Sequence, residues 1–227
     1  MKIEFEKIDP RKTIVLVIDV QNNFCSPQGF GAKTWNQDVS SSEKIIEKIR
    51  RFVSEVQKYG IEVLYTQLFY DAEKMSKSLK KKLGPFAGKY VAPDSVGSEF
   101  YKINPPKNKV FVKYGFDALR NEELLRYLKE IEIENIIFTG FTSCICVEST
   151  ARNAVDLGFN AIIVEDLVGE PKFLEEHRKA SLFTFNLIMG DVVKSEAILE
   201  VWENSKEALE KIKELESELK KLYEKLK

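Results

Sequence analysis

A chain of 227 residues with 44% hydrophobic content can bury a full core, in one large domain or two small ones. Its 35 lysines and arginines balance 36 aspartates and glutamates, which excludes the strong basic field that attracts nucleic acid or an anionic membrane. The longest apolar run, TIVLVIDV, is too short to cross a bilayer, and the first residues lack a signal-peptide pattern. We therefore expect a cytoplasmic protein whose partner is a small-molecule substrate.

The cysteines and the charged residues add two expectations. Three cysteines cannot build a disulfide framework in a chain of this length, and they lack the paired spacing of a zinc site, so we expect free thiols. Lysine and glutamate dominate the charged residues, and there is a single histidine. This composition favours a heat-adapted source, because ion-pair networks stabilise proteins more at high temperature.

Apolar runs and amphipathic segments alternate along the chain. The run over 13–20 predicts a first strand, and the spacing over 40–59 predicts a helix with a capping box at Ser40 and Glu43 and a stop at Gly60. Further strands are predicted at 61–68, 109–114, 135–140, 160–167 and 191–194, and further helices at 121–132, after the fourth strand and at 174–189. Apolar strands separated by helices predict a three-layer α/β/α fold with a central, mostly parallel six-stranded sheet.

Two segments depart from this alternation. Residues 69–108 are long and irregular with scattered aromatics, which indicates either a loop that covers a pocket or a solvated excursion. Near the C-terminus, an apolar stripe with spacings of three and four residues predicts an amphipathic helix that packs on its own domain or on another subunit. Its members are Ile212, Leu215, Leu219, Leu222 and Leu226. We thus divide the chain into an α/β domain over 1–200 and a helix over 201–227.

Three reactive side chains fall at predicted strand ends. In an open parallel sheet these ends meet at one edge, so Asp19, Lys113 and a cysteine of the fourth βα connection can converge there. The start of a helix favours a thiolate through free N–H groups and the helix dipole. Cys144 and Cys146 point about 200° apart on a helix, so only one can face the site, and position alone leaves the choice open.

These residues lie in segments that resemble the isochorismatase-like cysteine hydrolases. GFTSCICVESTAR is similar to the nucleophile segment of that family, Gly-x-x-Thr-x-x-Cys-Val followed by Thr-Ala-Arg, and it places the family's cysteine on Cys146 rather than Cys144. VLVIDVQNNF is similar to the Asp-x-Gln-x-x-Phe segment, and VFVKYGFDAL is similar to the lysine strand. The resemblance covers about residues 10–200 and implies that Asp19, Lys113 and Cys146 are catalytic.

The resemblance also implies a mechanism. Asp19 would take the thiol proton, Lys113 would hold the carboxylate, and Cys146 would attack an amide-like carbonyl to form a thioester that water hydrolyses. Backbone N–H groups of Thr142 and Cys146 would form the oxyanion hole, and the family has a non-proline cis peptide at the position of Phe141–Thr142. We expect a hydrolase that cleaves the C–N bond of a small amide, ureido or carbamoyl compound without a cofactor.

The sequence departs from two branches of this superfamily. Nicotinamidases carry metal-binding histidines after the second strand, where this chain has TQLFYDAEKM, so we expect no metal site and a structural role for His177. True isochorismatases commonly lack the cysteine, so vinyl ether hydrolysis is the alternative reaction. A non-catalytic binding or scaffold protein of the same fold is the alternative from another class.

Aromatic residues near the strand ends are candidates for holding a planar or apolar acyl group. They are Phe24, Trp35, Tyr70, Tyr114 and Phe116, and the alternative for each is an ordinary place in the core. Because members of the family commonly assemble, we also expect a homo-oligomer, possibly formed through the C-terminal helix.

Overall fold

The computed structural model describes residues 8–204, and its centre is a parallel sheet. The strands are β1 (Thr13–Ile18), β2 (Glu62–Leu68), β3 (Val110–Lys113), β4 (Asn135–Phe141), β5 (Asn160–Gly169) and β6 (Asp191–Val193). Their spatial order is β3-β2-β1-β4-β5-β6, and every neighbouring pair is parallel. After β1 the chain adds β2 and β3 on one side of it. It then crosses to the other side of β1 and adds β4, β5 and β6.

Helices flank the sheet. They are α1 (Asn22–Cys25), α2 (Phe30–Trp35), α3 (Ser42–Gln57), α4 (Lys77–Leu83), α5 (Glu122–Glu130), α6 (Glu148–Asp156) and α7 (Glu175–Ile188). Residues 195–204 are also helical. The predicted six-stranded α/β fold is confirmed, and the sheet is parallel throughout. Within residues 8–204, no helix is both long enough and apolar enough to cross a membrane.

The central strands β1 and β4 lie in the middle of the core. Every residue of β1 and of β4 is buried. Helices cover both faces of a sheet of this kind, so its inner strands need apolar side chains on both sides and cannot alternate with polar ones. This is why the sequence of β1 reads as one continuous β-branched run.

The start of α3 corrects the predicted capping box. The helix begins at Ser42, its N-cap residue is Ser41, and no side chain caps it. Ser40 lies before the helix because its backbone N–H binds the carboxylate of Asp38 at 2.9 Å. The local turn built by Asp38 thus competes with the capping geometry that the sequence suggested. Gly60 does adopt a positive φ of 77° after the helix, as expected for a stop.

The segment 69–108 is not wholly irregular. It contains α4, and short 3₁₀ turns at Gly84–Phe86 and Val96–Ser98. Tyr70, Tyr90 and Val91 are buried, and the backbone N–H of Tyr70 binds the carbonyl of Val91 at 3.0 Å. Part of the segment therefore packs on the domain rather than extending into solvent, and that it covers a pocket stays a prediction.

The helix at 195–204 is anchored to the domain by one large side chain. Trp202 is 2% exposed, its ring lies 6.0 Å from the ring of Tyr59, and its indole Nε1 donates to the carbonyl of Ile8 at 3.3 Å. The helix thus packs on the same core as the sheet. The apolar stripe predicted over 212–226 lies outside the described residues.

Replacing Trp202 by alanine should remove that anchor. Because the ring is buried and hydrogen-bonded, we expect the free energy of unfolding to fall by about 3–5 kcal/mol. Urea denaturation followed by circular dichroism measures this change. Trp35→Ala is the matched control, since Trp35 is 37% exposed and should cost much less. A Trp202→Ala protein as stable as that control would contradict the packing described here.

Candidate active site

Three strand ends bring Asp19, Lys113 and Cys146 to one edge of the sheet. Asp19 follows β1 directly, Lys113 is the last residue of β3, and Cys146 lies in a π-helical turn, Ser143–Val147, after β4. β1 and β4 are neighbours in the sheet. After β1 the chain crosses to β2 on one side, and after β4 it crosses to β5 on the other side. Such a switch point opens a crevice at the carboxyl ends of the strands, where α/β proteins bind ligands.

Asp19 and Lys113 form a buried ion pair. Asp19 Oδ2 lies 2.7 Å from Lys113 Nζ, and the two side chains are 0% and 2% exposed. The hydroxyl of Thr66 donates to Asp19 Oδ1 at 2.7 Å, while Lys113 donates to the carbonyls of Gly115 and Phe116, each at 2.9 Å. These bonds offset the desolvation of both charges, which a bare buried pair could not do.

The backbone also constrains the Asp19 side chain. Asp19 has a φ of 48°, which a non-glycine residue rarely adopts. Its N–H binds the carbonyl of Thr66 at 3.3 Å, and its own carbonyl accepts from Gln21 at 2.8 Å. Residues held in this conformation concentrate at active sites, where surrounding contacts fix them. The carboxylate is therefore held in place from both the backbone and the side chain.

The thiol of Cys146 lies within hydrogen-bonding reach of both charged partners. Burial and the Asp19 carboxylate raise the pKa of Cys146 to about 12, although the ammonium of Lys113 acts in the opposite direction. Burial alone would lower the pKa of Lys113, but Asp19 and Cys146 raise it, so the ammonium stays charged. The resting form of Cys146 is therefore the thiol and not the thiolate that the start of a helix was expected to favour. Desolvation raises the pKa more than the ammonium of Lys113 lowers it. A base must therefore take the proton.

The turn also separates the two neighbouring cysteines. Cys146 is buried beside the ion pair, whereas Cys144 is partly exposed and its pKa is raised by burial and by the carboxylate of Glu170. Cys25 is buried, and burial raises its pKa well above the usual value. Only Cys146 combines a thiol with both an acid and a base at hydrogen-bonding distance among these three.

The connection from β4 into the turn has a defined backbone. The peptide bond between Phe141 and Thr142 is cis, as the resemblance implies. The carbonyl of Thr142 accepts from the N–H groups of Ile145 at 3.1 Å and Val147 at 3.2 Å. Gly140 has a φ of 108°, and a Cβ there would lie 2.1 Å from the carbonyl oxygen of Ile18. Glycine is thus required where β4 passes closest to β1.

Aromatic rings lie beside Cys146. Tyr90 lies 4.7 Å from Trp35 and 5.7 Å from both Phe24 and Tyr70, measured between ring centroids. Burial and then Cys146 raise the pKa values of Tyr70 and Tyr90, so both phenols lie near the thiol. The aromatic cluster consists of Phe24, Phe30, Trp35, Tyr70, Phe86 and Tyr90.

Two of the predicted aromatics lie outside the cluster. Tyr114 accepts a hydrogen bond from Lys74 at 3.0 Å, with the ammonium 4.9 Å from its ring centroid. Phe116 is 41% exposed and contributes its backbone carbonyl to Lys113. Both follow β3, where the carbonyls of Gly115 and Phe116 accept from Lys113, and their contact with substrate stays a prediction.

Sequence reasoning missed the residues that support the site from other segments. Thr66 orients Asp19, Tyr90 joins the rings of the cluster, and Glu170 binds the turn that carries Cys146. None of them lies in a motif, although Glu170 does follow an apolar strand. His177 is exposed on α7. Between residues 8 and 204, no three histidine, cysteine, aspartate or glutamate side chains are grouped to hold a metal.

The chain is similar to a known protein family and to known enzymes. Residues 13–197 match the family model of the Isochorismatase domain. The chain is 25% identical to the ureidoacrylate amidohydrolase RutB of Acinetobacter baylyi, covering 91% of each chain. It is 26% identical to RutB of Caulobacter segnis, covering 81% of this chain and 82% of that one.

A solved structure shows the same fold. The crystal structure of a cysteine hydrolase from Pseudomonas syringae pv. phaseolicola superposes with a TM-score of 0.76 at 19% identity, covering 87% of this chain and 95% of that one. The sheet order, the strand-end site and the match over most of the chain lead to one conclusion. This protein belongs to the isochorismatase-like family of hydrolases.

Proposed function

We propose that the protein is a cysteine-dependent amidohydrolase that cleaves a C–N bond of a small amide, ureido or carbamoyl compound. The observation that carries this proposal is the buried 2.7 Å ion pair of Asp19 and Lys113 in contact with the thiol of Cys146. A structural cysteine has no need of a buried acid and base beside it. Similarity to amidohydrolases that act on ureidoacrylate supports the same reaction class.

The first half-reaction forms a thioester. Asp19 takes the proton of the Cys146 thiol while the sulfur adds to the carbonyl carbon. The backbone N–H groups of Thr142 and Cys146 hold the resulting oxyanion. The intermediate then collapses, the C–N bond breaks, and the leaving nitrogen departs with the proton from Asp19.

The second half-reaction releases the acid. Asp19 takes a proton from a water molecule, whose oxygen adds to the thioester carbon. The C–S bond breaks, and the proton returns to sulfur, which restores the resting thiol. Lys113 remains charged throughout and keeps Asp19 oriented, so each step begins with the carboxylate in the same place.

The aromatic cluster limits the substrate class. Phe24, Tyr70 and Tyr90 are all at least nine-tenths buried and in ring contact, and the phenols of Tyr70 and Tyr90 lie near the sulfur. Ureido and carbamoyl groups are planar and offer N–H donors to hydroxyl oxygens. A small planar substrate fits this environment better than a flexible charged peptide.

A substrate panel tests the proposal. We expect the purified protein to release ammonia from at least one compound among ureido acids, carbamoyl amino acids and primary amides, at a kcat within the usual range of about 1–10³ s⁻¹. Coupled detection of ammonia measures the rate. Isochorismate in the same panel reports vinyl ether cleavage. Turnover of isochorismate alone, with no nitrogen released from any amide, would contradict the proposal.

A further inference from the structure

A buried glutamate contacts the turn that carries Cys146. The hydroxyl of Ser143, the first residue of that turn, donates to Glu170 Oε2. The other oxygen, Oε1, lies 3.0 Å from Arg178 Nε, so the carboxylate bridges a serine hydroxyl and a guanidinium. Glu170 is 7% exposed. This chain of contacts has no part in the acid–base steps assigned to Asp19 and Lys113.

The sheet register explains how Glu170 reaches the turn. β4 and β5 pair with Gly140 opposite Val168 and Phe141 opposite Gly169. Glu170 therefore leaves β5 at the level where Thr142 leaves β4. A Cβ at Gly169 would lie 2.4 Å from the ring of Phe141, so the two strand ends are in close contact.

Burying the Glu170 carboxylate costs desolvation free energy. Burial raises the pKa of Glu170, and the bonds from Ser143 and Arg178 oppose that shift. Arg178 comes from α7 and also donates to the carbonyl of Glu165 at 3.2 Å, so the guanidinium is fixed on both sides. A neutral side chain would fill the same space without desolvating a charge. The carboxylate is thus placed to hold the Ser143 hydroxyl.

We propose that Glu170, held by Arg178, is a positioning residue that fixes Ser143 and thereby aims the backbone N–H groups of Thr142 and Cys146 at the oxyanion. The inference rests on the proposed function, since it needs Cys146 to act on a carbonyl. Ser143 lies between Thr142 and Cys146 at the start of the turn, so a displacement of Ser143 would move both donors. Donors must lie about 2.7–3.1 Å from the oxyanion to stabilise it.

Two reactions of the Cys146 sulfur distinguish an effect on the oxyanion hole from a general effect on the reactivity of the thiol. p-Nitrophenyl acetate acylates a thiolate by addition to a carbonyl, which forms an oxyanion before p-nitrophenolate leaves. Iodoacetamide alkylates the sulfur by direct displacement of iodide and forms no oxyanion. On the full chain, release of p-nitrophenolate measures acylation and peptide mass mapping measures alkylation, with Cys146→Ala as the blank for both. The ratio of the two rates reports the oxyanion hole without knowledge of the natural substrate.

We expect Ser143→Ala and Glu170→Gln to slow acylation of Cys146 at least about tenfold while alkylation stays within about twofold of wild type. Ser143→Thr keeps the hydroxyl and should retain the wild-type ratio. Glu148→Gln is the matched control, because Glu148 directly follows the turn and pairs with Arg152, not with Ser143.

The outcomes are distinct. Equal loss of both reactions, or no change in either, in Ser143→Ala and Glu170→Gln would overturn the positioning role and leave the proposed function standing. A wild-type protein that releases no nitrogen from any compound of the amide panel would overturn both. Loss of acylation alone, restored by threonine, supports the inference.

Discussion

Replacing Cys146 by serine is expected to abolish turnover of the amide substrate, with a loss in kcat of at least about 10⁴-fold. The variant keeps the size and burial of the side chain, so the fold should persist. A hydroxyl is far less acidic than a thiol, and the Asp19 carboxylate is too weak a base to generate an alkoxide from it. Ammonia release by the substrate identified in the panel measures the effect, and melting temperature checks the fold.

Cys144→Ser is the matched control for this prediction. Cys144 lies two residues away in the same turn, is partly exposed and sits beside Glu170 rather than the ion pair. We expect this variant to keep its activity within about twofold, as for a surface change away from the reacting atoms. An inactive Cys144→Ser protein combined with an active Cys146→Ser protein would reverse the assignment of the nucleophile.

Asp19→Asn should separate catalysis from thiol reactivity. Loss of the general base removes a contribution of about 10²–10⁴-fold, so kcat should fall by that factor. Iodoacetamide alkylation of Cys146 should become faster, however. Asp19 raises the pKa of Cys146 and Lys113 lowers it, so removing the carboxylate leaves an unpaired ammonium that favours the thiolate.

The pH dependence of alkylation checks the sign of this effect. With a pKa of about 12, free thiolate of Cys146 at pH 7 is on the order of 1 in 10⁵, and it grows tenfold per pH unit. We therefore expect the wild-type rate to rise through pH 9 without a plateau. The Asp19→Asn rate should be higher and should level off at a lower pH, where its lowered pKa is passed.

Two controls are needed for this prediction, because loss of the fold would also abolish activity. Breaking a buried ion pair costs about 3–5 kcal/mol, so circular dichroism must show that Asp19→Asn is folded at the assay temperature. Asp166→Asn is the matched control, because Asp166 pairs with Lys48 at 3.3 Å and lies outside the site. An Asp19→Asn protein whose Cys146 is alkylated no faster than in wild type, with the same pH profile, would show that the Asp19 carboxylate does not raise the pKa of this thiol.

The strand ends explain why the central residues of the site were predictable. Asp19 and Lys113 interrupt apolar runs, and an ionised side chain in such a place needs a partner, which the sequence already indicates. Parallel strands collect their carboxyl ends at one edge, so chain order alone predicts that these groups meet a residue after β4. Helix geometry leaves open whether Cys144 or Cys146 faces Asp19 and Lys113. From the sequence, only the resemblance to the family selects Cys146.

Residues that act through distant contacts were not predictable. Thr66 lies inside β2 as an ordinary strand residue, yet its hydroxyl orients Asp19. Tyr90 lies in a segment without periodicity, and it joins the aromatic cluster because α4 and its flanking turns fold back over the sheet edge. Tyr114 and Phe116 were expected beside the substrate from their place after β3; they lie outside the aromatic cluster, and their contact with substrate stays a prediction.

The amino-acid sequence by itself determined the order of strands and helices, the parallel sheet and the three reactive groups at its edge. Apolar periodicity and chain order are local properties, and local properties suffice for these features. Only the tertiary structure decided the protonation of Cys146, the ring cluster above it and the Glu170 support of its turn. Each of these depends on burial and on contacts between residues far apart in the chain, which no local pattern encodes.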